Sequence, residues 1–285
     1  MKRICNARWN AAAVDGHFMT LFSDLDLSNA VKDLKTTETQ GTDNIPTEFV
    51  KQSGPKCRSW LRDFFSACLT HLSIPKIWLK ATVIALPKPN KPVDDPRSYR
   101  PIPLLCVPYK LFERLLLLRL EPIVDPQLPD HQAGFRRGRS TVQQVVELIV
   151  DIEACFEKKQ KADLVLVDLT AAYYSAWHQG LTLKFPRVVP YRQMVRFIVN
   201  ILSNRCFKLK TSDGQRSRLR RLRNGLPQCA SLAPLLFNIY ISDIPLTRSC
   251  RYGYADDLAL LYSNKSLEEL EKTLSADMCT IAEYL

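Results

Sequence analysis

Arg251-Tyr252-Gly253-Tyr254-Ala255-Asp256-Asp257-Leu258-Ala259-Leu260-Leu261-Tyr262-Ser263 reads as a tight hairpin with adjacent carboxylates at its tip. Two neighbouring anions on a turn repel each other, and each is better solvated by water. A divalent cation bound between them reverses that penalty. Asp-Asp on a solvated loop is the ordinary alternative, so the pair needs support from elsewhere in the chain.

A third acid supplies it. Leu164-Val165-Leu166-Val167-Asp168-Leu169 is a strand whose continuous apolar run ends in one carboxylate. An acid in such a run is costly to bury unless it is paired or binds metal. A helix follows, so Asp168 serves equally well as a helix N-cap, and its residue type alone does not decide between the two. Three carboxylates on neighbouring strands can hold two metal ions about 3.5–4 Å apart, a spacing suited to phosphoryl transfer.

Working outward, the helical and extended segments alternate. Residues 57–72 carry Trp60, Leu61, Phe64, Phe65, Cys68, Leu69 and Leu72 at helical spacing. Residues 81–86 read as a buried strand, followed by the polar turn Pro87-Lys88-Pro89-Asn90-Lys91-Pro92. Residues 107–120 read as a helix. Ser140 or Thr141 caps another, with Val142, Val145, Val146, Ile149 and Phe156 on one face. A helical stretch follows Asp168 to about residue 204. Residues 206–223 read as a hairpin turning at Asp213-Gly214, and 231–244 as an apolar helix. Ser266 and Glu269 spell a capping box opening a last helix, with Leu267, Leu270, Leu274, Met278 and Ile281 inward. Residues 1–27 show little pattern. The expected fold class is α+β, a small antiparallel βαββ sheet backed by helices. The chain stops on Leu285 inside a helix without a C-cap, as a truncated protein would.

Composition narrows the partners. The 285 residues include 46% hydrophobic and 24% charged side chains, as in a globular protein. A formal charge of +11 favours a polyanion, nucleic acid or an anionic membrane. The charge is clustered: Arg136, Arg137 and Arg139 form one group, and Arg216, Arg218, Arg220, Arg221 and Arg223 another, both suited to phosphates. The nine cysteines form no Cys-x-x-Cys pair and the four histidines no ligand spacing, which argues against structural zinc. Scattered cysteines without a secretory signal fit a reducing compartment. No run approaches the roughly 20 apolar residues of a membrane span. The expectation is a soluble protein of the cytoplasm or nucleus, neither secreted nor in a membrane.

Several motifs, taken in order, resemble the reverse transcriptase of non-LTR (LINE-type) retrotransposons. They are Val83-Ile84-Ala85-Leu86-Pro87-Lys88-Pro89, Ser98-Tyr99-Arg100-Pro101-Ile102 and Gln132-Ala133-Gly134-Phe135-Arg136-Arg137-Gly138-Arg139-Ser140-Thr141. Val167-Asp168-Leu169-Thr170-Ala171-Ala172-Tyr173, Gly225-Leu226-Pro227-Gln228 through Pro234-Leu235-Leu236-Phe237-Asn238, and Tyr254-Ala255-Asp256-Asp257 complete the series. The resemblance runs from about residue 75 to the end and is weaker upstream.

The resemblance implies right-hand polymerase fingers and palm with the thumb missing. It divides the chain into an N-terminal extension (1–74), fingers (75–163) and palm (164–285). It implies an RNA-directed DNA polymerase that joins dNTPs to a primer 3′-hydroxyl with two Mg²⁺ ions, an RNA template and a DNA primer. Asp168, Asp256 and Asp257 would be the catalytic metal ligands, joined by the backbone oxygen of Leu169. Lys88 and Arg100 would bind the triphosphate, Lys as a point charge and Arg as a fork. Gln228 would touch nucleotide and template. Tyr173 would exclude a ribose 2′-hydroxyl, which disfavours an RNA-dependent RNA polymerase.

The sequence departs from the family at Tyr174, where a second Asp is usual, and at Cys229-Ala230, where Gly-Ser is usual. Gly41-Thr42-Asp43-Asn44 also lacks the Pro that often follows this Gly. The rival expectation is therefore a catalytically decayed, non-processive remnant that still binds nucleic acid, and weak processive synthesis is expected of the 285-residue chain.

Overall fold

The computed structural model describes residues 20–35, 39–92, 94–169, 172–211 and 214–284. The chain forms two compact units, each made of two separate stretches. One comprises the chain up to Val124 together with Tyr173–Ala233; the other comprises Asp125–Ala172 with Pro234–Leu285.

The first unit opens with helix α1 (Asp24–Lys32). Its N-cap Ser23 accepts from the Asp26 amide at 3.1 Å, and the Asp26 carboxylate accepts from the Ser23 amide at 2.9 Å. Helices α2 (Thr47–Lys51) and α3 (Pro55–Thr70) follow. Leu61, Phe65, Cys68 and Leu69 of α3 are buried, while Trp60 lies outside and stacks on Phe64. Strands β1 (Lys80–Pro87) and β2 (Tyr99–Leu104) pair antiparallel. Helix α4 (Val107–Val124) is buried around most of its circumference, taking Lys110 and Glu113 inward along with its many apolar side chains. Phe65, Trp78, Tyr109, Phe112 and Phe197 form an aromatic core with ring centroids 5.7–6.1 Å apart.

The second unit holds helix α5 (Thr141–Glu157), capped by Ser140, and strand β3 (Lys161–Asp168). Val142, Val145, Val146, Ile149 and Phe156 do share a face of α5, but that face is exposed.

After β3 comes the short α6 (Ala172–Ser175). In the first unit, α7 (His178–Val188) and α8 (Arg192–Ser203) then occupy the stretch read as one helical run to 204. The breaks fall at Trp177 and at Val189-Pro190-Tyr191; at the second, Val189 precedes proline and is pushed out of the helical region. Strand β4 (Cys206–Lys210) pairs parallel with β1 and antiparallel with the two-residue β5 (Arg220–Arg221). The first sheet therefore has the order β2-β1-β4-β5. The hairpin expected over 206–223 is present as an antiparallel pairing, with ladder pairs Cys206–Arg221 and Phe207–Arg220 and an isolated Lys210–Arg216 bridge, and with irregular backbone between them on the returning side. Asp213, half of its expected turn, lies outside the described residues, as do Thr170, Ala171 and Leu285.

Helix α9 (Ala233–Ile241), strands β6 (Cys250–Tyr254) and β7 (Asp257–Asn264), and helix α10 (Leu267–Tyr284) complete the chain. The second sheet is antiparallel throughout, in the order β3-β7-β6, as expected of the small acid-bearing sheet. The α10 cap departs from the capping box. The Ser266 hydroxyl accepts from the Glu269 amide at 3.4 Å, but the Ser266 amide donates to Asn264, and the Glu269 carboxylate instead takes Arg248 at 3.4 Å. Leu270, Leu274 and Ile281 of α10 are buried, whereas Leu267 is exposed. Among the described residues, no helix is long and apolar enough to cross a membrane.

Candidate active site

β3 and β7 run in register from Lys161–Asn264 to Asp168–Asp257, so the last pair of the ladder is two carboxylates facing each other. Directly opposed residues project to the same face of a sheet. β7 is joined to β6 by the two-residue loop Ala255-Asp256, between the paired Tyr254 and Asp257. Such loops need positive φ, which usually selects Gly or Asn. Here Ala255 adopts φ 60°, at a cost on the order of 1 kcal/mol. The register and this turn together bring Asp168, Asp256 and Asp257 to one end of the sheet.

The electrostatics are those of crowded anions. Partial burial of the Asp257 carboxyl, then the charges of Asp256 and Asp168, raise its pKa above the ordinary value. Asp168 and Asp257 are open to solvent and Asp256 is half-buried. Leu169, Asp256 and Asp257 also line a small cavity of about 20 Å³ with Gln132 and Asn238. Among the described residues, no three His, Cys, Asp or Glu side chains already converge on a single metal position. The chemistry nonetheless suits Mg²⁺: hard carboxylate and carbonyl oxygens, with mutual repulsion that a cation relieves.

The turn is cradled by the segment preceding α5. The Ala133 amide donates to the Gly253 carbonyl at 2.9 Å, and the Gly253 amide donates to the His131 carbonyl at 2.6 Å. Gly134 lies against the turn itself: a Cβ there would stand 2.0 Å from the Ala255 nitrogen and 2.7 Å from its Cα. Backbone cannot yield at such distances. Gly134→Ala is expected to destabilise the unit by about 3 kcal/mol or expel the turn, read by thermal unfolding and by the amide spectrum of residues 253–257.

His131 introduces an acid sensitivity. Burial, followed by the neighbouring Arg251 cation, pushes it down to about 4 from 6.5, with Asp130 opposing. The unfolded chain therefore binds a proton that the folded chain resists. Stability is expected to fall as pH drops from about 6.5 towards 4, and His131→Gln should flatten that slope in pH-dependent unfolding.

The other residues singled out in the sequence have mixed placements. Lys88 continues the β1–β2 ribbon, its amide donating to Ser98 at 2.7 Å. Arg100 pairs with Leu86, so by the alternation of the pleat Lys88 and Arg100 share one face of the ribbon, with Arg100 exposed. Tyr173 is buried and its carbonyl accepts from the Leu226 amide at 2.6 Å, whereas Gln228 is exposed. Lys88, Arg100, Tyr173 and Gln228 belong to the first unit, and the three acids to the second.

Arg216, Arg218, Arg220, Arg221 and Arg223 are all exposed, and Arg221 donates to the Ser203 carbonyl at 2.8 Å. The Arg136-Arg137-Arg139 cluster divides. Arg136 turns inward, ion-paired with Asp125 at 2.8 Å and donating to the Pro129 and Gln132 carbonyls. Arg137 is exposed, and Arg139 pairs with Asp130 at 2.9 Å. Positive φ at Phe135 (60°) and Gly138 (71°) turns the backbone on either side of Arg136, which is why adjacent arginines diverge.

Of the departures from the family pattern, Tyr174 is hydrogen-bonded and Cys229 does not sit at a positive φ. The Tyr174 hydroxyl donates to the Pro101 carbonyl at 2.9 Å, and burial, with Cys229 adding to it and Arg100 opposing, pushes it up to about 12. Cys229 has no positive φ, so its backbone does not require glycine. Gln132, Gly134 and Asn238 form part of the site's support, and the sequence reading gave them no role. Their signal was their position inside two of the family motifs.

An acid-tipped hairpin facing a third acid on an antiparallel sheet is compatible with a polymerase palm. Residues 86–284 match the family described as reverse transcriptase (RNA-dependent DNA polymerase), and the chain belongs to that family. Its relatives come from non-LTR elements, in agreement with the motif resemblance. It is 33% identical over 272 residues to "Probable RNA-directed DNA polymerase from transposon BS" of Drosophila melanogaster, covering 91% of this chain and 30% of that protein. It is 28% identical over 253 residues to "RNA-directed DNA polymerase from mobile element jockey" of Drosophila melanogaster, covering 85% and 27%. It is 24% identical over 237 residues to "Retrovirus-related Pol polyprotein from type-1 retrotransposable element R2" of Popillia japonica, covering 78% and 32%. The chain thus spans less than a third of each of these relatives.

Proposed function

We propose that this chain performs RNA-directed DNA polymerisation, adding dNTPs to a primer 3′-hydroxyl on an RNA template. The observation that carries the proposal is Asp168 facing Asp257 at the end of a paired ladder, with Asp256 on the adjoining turn. Asp168, Asp256, Asp257 and the Leu169 carbonyl would hold two Mg²⁺ ions. Such ions, when bound, stabilise charge on the attacking and leaving oxygens of phosphoryl transfer. The acidic sheet would be the palm and the β1–β2 ribbon part of the fingers.

Lys88 and Arg100 bind the triphosphate from one face of that ribbon, Arg100 through its planar fork. Tyr173, held by its Leu226 backbone bond, excludes the ribose 2′-hydroxyl, and Gln228 is exposed for contact with nucleotide and template. The exposed arginines from Arg216 to Arg223, with Arg137, hold nucleic-acid backbone. Arg136 and Arg139 shape their loop through Asp125 and Asp130.

Single-nucleotide addition to a DNA primer annealed to RNA tests the reading. Mg²⁺-dependent incorporation of dNTP in preference to rNTP is expected. No incorporation, or a preference for rNTP, sinks it.

A further inference from the structure

The turn carrying Asp256 and Asp257 is gripped by one buried side chain at a single residue, through the peptides on both sides of its Cα. The Gln132 amide nitrogen donates to the Ala255 carbonyl at 3.0 Å, and its oxygen accepts from the Ala255 amide at 3.0 Å. The same oxygen accepts from the Gly134 amide at 2.8 Å. Two N–H donors converging on one atom fix the orientation of the amide, since only its oxygen can accept both. The residue is buried, so water does not compete for these bonds.

The gripped residue is Ala255, whose φ of 60° is the unfavourable element of the turn. Beneath the clamp, Asn238 donates from Nδ2 to the Gly134 carbonyl at 2.9 Å. A chain of hydrogen bonds thus runs from α9 through Gly134 and Gln132 to the backbone between Tyr254 and Asp256. A strained conformation persists only where its surroundings over-determine it, and this network supplies that determination at the peptides on both sides of the Ala255 Cα.

We infer that Gln132 is the positioning residue of the carboxylate turn, holding Ala255 in its left-handed conformation so that Asp256 and Asp257 are presented together to a divalent cation. This rests on the reading of those acids as metal ligands. In this role Gln132 acts through the two peptides that flank the Ala255 Cα. Glu at 132 could accept from the same two amides, but it would lose the donor and set a carboxylate against the Ala255 carbonyl. Leu would lose all three bonds at similar volume.

The test uses the full chain and Mn²⁺ as probe, with two readouts. Gln132→Leu is expected to speed hydrogen exchange at the Ala255 amide and to weaken Mn²⁺ binding, each by about tenfold. In the Ala255→Gly background, where positive φ carries no steric cost, the same substitution should weaken Mn²⁺ binding at most about threefold. This dependence on residue 255 separates positioning from a general loss of packing. Gln132→Glu, which keeps two of the bonds, substitutes if Gln132→Leu does not fold, with faster exchange and weaker Mn²⁺ binding again expected.

Faster exchange with undiminished Mn²⁺ affinity overturns the inference and leaves the metal reading standing. An equal loss in the Ala255→Gly background also overturns it, because the role would then be packing alone. Asp256→Asn with unaltered Mn²⁺ affinity overturns the metal reading and this inference with it.

Discussion

An Asp256→Asn chain is expected to lose at least about 10³-fold in Mg²⁺-dependent dNTP incorporation while binding single-stranded RNA as the unaltered chain does. Asn preserves the shape of the side chain and removes one of the negative charges gathered by the Asp168–Asp257 pair and the turn. Metal catalysis of this class contributes several kcal/mol of charge stabilisation, and about 4 kcal/mol corresponds to that loss of rate. RNA binding depends on other groups, the exposed arginines from Arg216 to Arg223. Its salt dependence should therefore keep its slope, roughly 0.7 per phosphate contacted on a single strand. A second readout does not require catalysis. Asp256 is one of the charges that raise the Asp257 carboxyl, so that carboxyl should titrate at lower pH in the variant, followed by NMR. Wild-type incorporation by Asp256→Asn removes Asp256 from the metal site. A fall in RNA binding parallel to the fall in rate points instead to a damaged fold.

The acid-bearing sheet was legible because its signals are local. An apolar run ending in Asp168 and a hairpin tipped with Asp256-Asp257 each declare their own conformation, and βαββ order then leaves few ways to pair them. The first sheet was only partly legible. β4 alternates Phe207 and Leu209 with lysines and announces its hairpin return to β5, but not the strand on its other edge. That second partner, β1, lies across a long crossover and pairs in parallel. The exposed face of α5 shows the converse limit, for helical periodicity reveals that apolar residues share a side and not that the side is covered. Arg136 was grouped with Arg137 and Arg139 because charge clustering is read along the chain, whereas the positive φ values around it turn its guanidinium to Asp125. Gln132 was invisible as a clamp because its value lies in a peptide more than a hundred positions away. α1 was missed because its cap uses Asp at the position where Glu or Gln is the stronger signal.

Glu113 carries the largest expected effect on stability. It lies on α4 with its carboxylate buried, Oε1 accepting from Arg205 at 3.0 Å and Oε2 from the Ser231 amide at 2.9 Å. The Arg205 guanidinium is also buried, bonded to the Tyr109 hydroxyl and placed over its ring at 4.8 Å. Burial raises the Glu113 carboxyl, with Arg205, Tyr109 and the Ser231 amide opposing, so the carboxylate depends on these neighbours to stay charged. Glu113→Ala strands the Arg205 charge in a dry site and frees the Ser231 amide. A cost of about 3–5 kcal/mol is expected, a fall in Tm on the order of 10 °C. Removing one partner is costly because the other remains, so removing both should cost less. Glu113→Met with Arg205→Met is expected to recover at least half of the lost Tm, since a buried ion pair replaced by apolar side chains of similar volume is often neutral. A double variant no more stable than Glu113→Ala would show that the Ser231 amide and the Tyr109 hydroxyl, rather than the stranded charge, account for the loss.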